Sequence, residues 1–159
     1  MADGLHDEEE VCHPRPGRQA LLVFEDRPES LLLRCLRPGF RHCFCLVAAG
    51  VDWIVCDPLK TRVELTLVCA ANAESLALQL ARPGRTVLRG VVGTTPERRR
   101  VRLRAVTCVE LVMRVLSIDA GSVLTPYQLF RHLLGPSAPD RWSIAPGDGG
   151  EIHLDHVQQ

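Results

Sequence analysis

The sequence predicts an α+β fold in a single domain, an antiparallel sheet of about five to six strands packed against helices. Three observations lead there. A chain of 159 residues is long enough for one full core and short for two domains of typical size. Short runs rich in Val, Leu, Phe and Cys recur between Gly and Pro breaks, as half-buried strands do. Two segments late in the chain open with the residue pattern of a capped helix.

Taken in order, residues 1–18 carry Asp3, Asp7, Glu8, Glu9 and Glu10 and then His13, Pro14, Pro16 and Gly17, with no apolar periodicity to hold them, and read as a mobile arm. Gln19 to Phe24 reads as a strand, and Pro28 to Leu36 as a short helix with proline at its start and Gly39 beyond its end. Phe40 to Ala48, Asp52 to Asp57 and Arg62 to Val68 read as a three-stranded meander. Asn72 to Arg82 places Leu76 and Leu80 at helical spacing ahead of Pro83-Gly84. Strands follow near 85–92 and 100–106. Thr107 with Glu110, and Thr125 with Pro126 and Gln128, are capping boxes, in which the hydroxyl takes the third helical amide and the third side chain reaches back. The first of these helices offers Val109, Val112, Met113 and Leu116 to the core, the second Tyr127, Phe130, Leu133 and Leu134. From Gly135 to residue 159 the chain is rich in Pro and Gly and reads as a tail outside the core, so the folded domain is expected over 19–134.

Composition narrows the function. Nineteen basic residues balance nineteen acidic ones, which argues against a global electrostatic grip on nucleic acid. Arg98, Arg99, Arg100, Arg102 and Arg104 alternate along an expected strand, but no aromatic residues accompany them, and a solvated strand accounts for them. No apolar run approaches the roughly 18 to 20 residues a membrane span needs, and the acidic start lacks the basic and apolar regions of a secretory signal, so a cytoplasmic location is expected. The seven cysteines follow no disulfide-scaffold spacing and are expected to be reduced. No cofactor is implied. His6, His13, His132, His153 and His156 lie in the arm, the tail or on an exposed helix face and carry no expected role.

Chemistry gathers at three residues. If Thr107 caps its helix, Cys108 is the first helical residue, where unpaired amides and the helix dipole favour a thiolate. His42 sits in an otherwise apolar strand, an odd place for an imidazole unless something satisfies it. With Ala49-Gly50 as a two-residue turn, paired positions sum to 99 and His42 faces Asp57, their Cβ atoms roughly 4.5–5.5 Å apart. A carboxylate there fixes the imidazole tautomer, as a general base requires. The same register sets Phe44 against Val55, Leu46 against Trp53, and Cys43 against Cys56 with Cys45 beside them. Those three thiols lack a fourth ligand at zinc spacing; core packing or a Cys43–Cys56 disulfide are the open alternatives.

The strand histidine, followed about fifteen residues later by an aspartate in W-x-V-x-D-P form, here Trp53, Val55, Asp57 and Pro58, resembles the His and Asp elements of transglutaminase-like and arylamine acetyltransferase enzymes of the papain-like superfamily. The cysteine helix comes last here, as TCVELVMRVL, which resembles the circularly permuted members related to NlpC-type peptidases and lecithin:retinol acyltransferase. Thr107-Cys108-x-Glu110 stands where those families have Asn-Cys-Glu. The resemblance implies a permuted papain-like fold, with Cys108 as nucleophile, His42 as general base and then acid, Asp57 as the orienting member, and Gln19 or Arg41 as a side-chain oxyanion donor. It implies a hydrolase or acyltransferase working on peptide, isopeptide or amide bonds through a thioester. The competing expectation is a noncatalytic papain-like module that binds a partner or serves assembly, as in a phage-like system.

Overall fold

The computed structural model describes residues 17–27, 35–93, 107–136 and 141–146. Among the described residues six strands form one antiparallel sheet: β1 (Gln19–Glu25), β2 (His42–Ala49), β3 (Asp52–Pro58), β4 (Val63–Cys69), β5 (Arg85–Val91) and β6 (Trp142–Ile144). Their spatial order is β4-β3-β2-β1-β5-β6. Three helices accompany them among the described residues: α1 (Ala73–Leu80), α2 (Cys108–Val115) and α3 (Pro126–Leu134). The α+β class and the meander of β2, β3 and β4 agree with the sequence reading. Most of the 28–36 helix, the strand near 100–106 and the Arg98–Arg104 cluster fall outside the described residues.

β1 explains the layering. Its run Ala20-Leu21-Leu22-Val23-Phe24 is apolar at every position, unlike the alternating pattern of a sheet with one wet face, and all five residues are buried. Ala20, Leu22 and Phe24 point into a core completed by Val109, Val112 and Met113 of α2, by Leu116 that caps it, and by Leu129, Phe130 and Leu133 of α3. Leu21 and Val23 point the other way, into a second core with Phe44, Leu46, Trp53 and Leu76 and Ala77 of α1. Phe24 meets Phe130 edge-on, with ring centroids 5.8 Å apart, and Phe40 lies against both, which ties α3 to the sheet.

The helix starts are built by their caps. Thr125 Oγ1 accepts from the Gln128 amide at 3.2 Å, and Gln128 Oε1 accepts from the Thr125 amide at 3.0 Å, a complete capping box with Pro126 at the first helical position. At α2 half of the expected box forms. Thr107 Oγ1 accepts from the Glu110 amide at 3.2 Å, but the Glu110 carboxylate turns to Arg114 Nε, 3.0 Å away. The expected α2 stripe is buried as read. On α3 the buried face turns toward Leu129, with Tyr127 and Leu134 only partly covered. Thr125→Ala is expected to cost about 1 kcal/mol of unfolding free energy. Urea melts that place Thr125→Ser near wild type and Thr125→Ala well below it check this.

Two sequence readings are corrected. Ala49 pairs with Asp52, so the hairpin turn is Gly50-Val51, and paired positions sum to 101. Gly50 has φ of +70° while Val51 does not have positive φ, the pattern of a type II′ turn with glycine first. Cys45, not Cys43, therefore opposes Cys56, and the described cysteines are all free thiols. The second correction is at the C-terminal side. Trp142–Ile144 rejoins the sheet as β6 beside β5, with Trp142 in the first core and Ala145 in the second, so the core does not end at residue 134. Gly90 makes room for this: a Cβ there would lie 2.4 Å from the Trp142 ring. Arg18 and Gly17, assigned to the arm, extend the β1–β5 contact through backbone bonds with Val92.

Candidate functional site

The pairing of β2 with β3 runs from Ala49–Asp52 to Cys45–Cys56 and ends there, while β2 continues along β1 and β3 along β4. Continued by one residue, the register would set Asp57 against Phe44, one diagonal step from His42. Diagonal neighbours on one sheet face lie within reach of long side chains. His42 Nε2 and Asp57 Oδ1 are 2.8 Å apart. The expected meeting thus occurs despite a register wrong by two, because a shift of two positions keeps every side chain on its face.

Asp57 is held from its other side as well. Arg27 Nη2 donates to Asp57 Oδ2 at 2.6 Å, and the same guanidinium donates from Nε to Glu25 Oε1 at 2.6 Å. Glu25 is buried and accepts on its second oxygen from Arg85, at 2.7 Å from both Nε and Nη2. The β1 pairings explain the gathering, since Glu25 lies opposite both His42 on β2 and Arg85 on β5. A row of alternating charge therefore runs His42, Asp57, Arg27, Glu25, Arg85 across four elements of chain. Sequence reasoning missed its last three members. The available signal was Glu25 closing an otherwise apolar strand, with Arg27 two residues on; Arg85 becomes visible only once β5 is paired with β1.

Cys108 enters from α2, which packs on β2 and β3. Its thiol comes under the influence of the Cys43 side chain and backbone and of the His42 imidazole. All three expected site residues are thus brought together. Cys108 also occupies the first position of its helix, as the Thr107 cap requires.

The electrostatics follow from these contacts. The Cys43 hydrogen bond is the largest influence on Cys108; burial opposes it, and the bond and positive charge of His42 add to it, bringing the thiol down to about 5. For His42 burial is the largest influence and pushes the pKa down, but the bonds to Asp57 and Cys108 and their negative charges outweigh it and raise it to about 9. Burial likewise works against Asp57, yet its bonds to His42 and Arg27 hold the carboxyl below the usual carboxylate range. Between about pH 5 and 9 the resting pair is accordingly thiolate and imidazolium.

The two oxyanion candidates separate. Gln19 begins β1, six residues from the end where Glu25 meets His42, a distance of roughly 20 Å along a strand. It stands apart from the site. Arg41 directly precedes His42, its Nη1 lies 3.6 Å from Asp26 Oδ2, and its Nε is buried without a hydrogen-bond partner. His132 is exposed on α3. Among the described residues no group of three or more His, Cys, Asp or Glu side chains is placed to hold a metal ion, and no helix is long and apolar enough to cross a membrane. Compared with protein-family models, curated proteins and solved structures, the chain matches none.

Proposed function

We propose that this protein is a cysteine-dependent hydrolase or acyltransferase acting on peptide, isopeptide or amide bonds through a thioester on Cys108, in a permuted papain-like fold. The observation that carries the reading is the shared imidazole: His42 bonds Asp57 through Nε2 at 2.8 Å and also acts on the Cys108 thiol. This is nucleophile, base and orienting group in mutual contact. The chain order supports the fold reading, with strand histidine, strand aspartate and then a helix opening on cysteine against the sheet.

The reaction follows from the resting charges. The Cys108 thiolate adds to the substrate carbonyl, and the carbonyl oxygen takes the negative charge. The Cys108 amide, unpaired at the first helical position, is available to that oxygen. As the C–N bond breaks, His42 gives its proton to the departing amine and becomes neutral. It then removes a proton from water or an acceptor amine, which attacks the thioester, and the thiolate leaves with His42 again protonated. Asp57, fixed by Arg27, keeps the ring turned toward the sulfur throughout. Reduced thiols agree with a cytoplasmic setting.

Alkylation tests the reading without a known substrate. Iodoacetamide at about pH 6, where ordinary thiols are protonated, is expected to label Cys108 ahead of the other six cysteines. Equal labelling, or an inert Cys108, would overturn it and favour a noncatalytic binding or assembly module. An activated peptide ester should further leave an acyl group on Cys108 that hydroxylamine removes.

A further inference from the structure

Acyl transfer by a thiolate calls for a carboxylate-supported imidazole, but it makes no use of a second thiol against the nucleophile. Cys43 is such a thiol. It is fully buried on β2, in the core against which Cys108 packs as α2 lies on β2, and it is the largest influence on the Cys108 thiol. The neighbouring pair Cys45 and Cys56 is occupied with itself, the two residues facing each other across β2 and β3 and each acting on the other's thiol. One thiol is thus singled out by position as the partner of Cys108.

The geometry points to a reversible oxidation site, in which a small hydroperoxide oxidises Cys108 and Cys43 resolves the product as an intramolecular disulfide. The chemistry balances. The Cys108 thiolate attacks one oxygen of the peroxide, so that an S–O bond forms and the O–O bond breaks; the leaving oxygen takes a proton from the His42 imidazolium. The product is a sulfenic acid on Cys108 and one molecule of water or alcohol. The Cys43 sulfur then attacks the Cys108 sulfur; the S–S bond forms, the S–O bond breaks, and the departing hydroxide leaves as water with the Cys43 proton. Two electrons pass from the two sulfurs to the peroxide, and a dithiol returns them.

The environment suits each step. Peroxide reacts with thiolates, and Cys108 is held as one. Burial, and then the bond to Cys108 and its negative charge, keep Cys43 protonated in the resting state. Oxidation removes that charge, so Cys43 becomes easier to ionise when its attack is needed. Because the disulfide consumes the nucleophile, the site is active when reduced and silent when oxidised. This regulatory meaning rests on the acyl-transfer reading, whereas the thiol chemistry is measured independently of it.

The test treats the full-length protein with one equivalent of hydrogen peroxide at neutral pH, blocks remaining thiols under denaturing conditions and maps the tryptic peptides. Cys108 lies in peptide 105–114, and Cys43, Cys45 and Cys56 share peptide 42–60. The expected product is a cross-link of these two peptides, lighter by two hydrogen atoms, assigned to Cys43 by fragmentation and reversed by dithiothreitol. In Cys43→Ala the cross-link should vanish and Cys108 should be trapped by dimedone as the sulfenic acid. A wild-type protein in which Cys108 stays sulfenic or proceeds to sulfinic acid without cross-linking overturns the proposal, as does a Cys45–Cys56 bond formed in its place. Should Cys108 be the preferred iodoacetamide target and yet never link to Cys43, the redox site fails while the acyl-transfer reading stands; absence of preferential labelling sinks the latter on its own.

Discussion

Replacement of His42 by alanine is expected to move the midpoint of Cys108 alkylation upward by about 1–3 pH units, the influence of an opposite charge in contact with an ionisable group. In the wild-type protein the midpoint should fall at about 5, set by Cys43 and His42 together. The midpoint is the proper readout, because rate alone misleads. A thiol of higher pKa has less thiolate at a given pH, but each thiolate is more nucleophilic, with a Brønsted slope of about 0.4–0.5, so the two effects offset much of one another at about pH 6. His42→Gln, which keeps a polar side chain without the charge, should shift the midpoint nearly as far. A midpoint that stays near 5 in both variants would mean that Cys43 and the helix terminus hold the thiolate alone, and His42 would lose its place as the partner of the sulfur. For turnover the same pair fixes the profile. Acylation needs the thiolate and leaving-group protonation needs the imidazolium, so the rate should be bell-shaped, rising through about 5 and falling through about 9.

The readable part of this site was local, and the unread part was not. Cys108 could be placed because a cap is written in four consecutive residues, and Thr107 does accept the Glu110 amide. His42 stood out as a polar residue within an apolar strand. Its contact with Asp57 was legible for a reason more robust than the register behind it: period-two alternation puts both residues on one face for any even shift, and the error made at Gly50-Val51 was even. An alanine-first turn was assumed where glycine takes the first position, and the cost was confined to pairings, above all the one that placed Cys43 rather than Cys45 against Cys56. Arg85 escaped because its meeting with Glu25 depends on β5 returning beside β1, a pairing between segments 60 residues apart that no local pattern encodes, whereas Glu25 and Arg27 left a local signal that went unread. β6 escaped for a related reason. Three residues in a Pro- and Gly-rich stretch carry too little periodicity to read as a strand, and it is the bare backbone of Gly90 that lets Trp142 pack there.

Glu25→Ala is expected to be the most destabilising change in the charged row, by about 3 kcal/mol, and to disturb the site as well as the fold. Glu25 is the junction: its carboxylate takes Arg27 on one oxygen and Arg85 on the other, all at 2.6–2.7 Å, with its side chain only 7% exposed. Removing one partner of a buried pair costs about 3–5 kcal/mol, because the remaining charge is left uncompensated. Here the arginine side chains are 29% and 27% exposed, so water relieves part of that penalty and the lower end of the range applies. The two guanidinium groups differ in what they lose. Arg85 loses the carboxylate on which both its Nε and its Nη2 rest, whereas Arg27 keeps Asp57 but gives up the contact that fixes its Nε. Arg27 should therefore wander, Asp57 should hold His42 less firmly, and the Cys108 midpoint should rise even at temperatures where the variant remains folded. Glu25→Gln separates the two effects, because it retains an acceptor for one arginine while removing the charge. Urea denaturation and alkylation profiles on both variants check this together. A Glu25→Ala protein as stable as wild type would show that the row contributes no net stability; a destabilised variant whose Cys108 midpoint does not move would show that Asp57 is positioned without Arg27. Acid has the corresponding effect on the row's other carboxylate. Because Asp57 titrates lower in the folded protein than in the unfolded chain, its stabilisation is complete above the ordinary carboxylate pKa and is lost as pH falls through the depressed value, so only acidification below the ordinary carboxylate pKa should weaken the wild-type protein through this group.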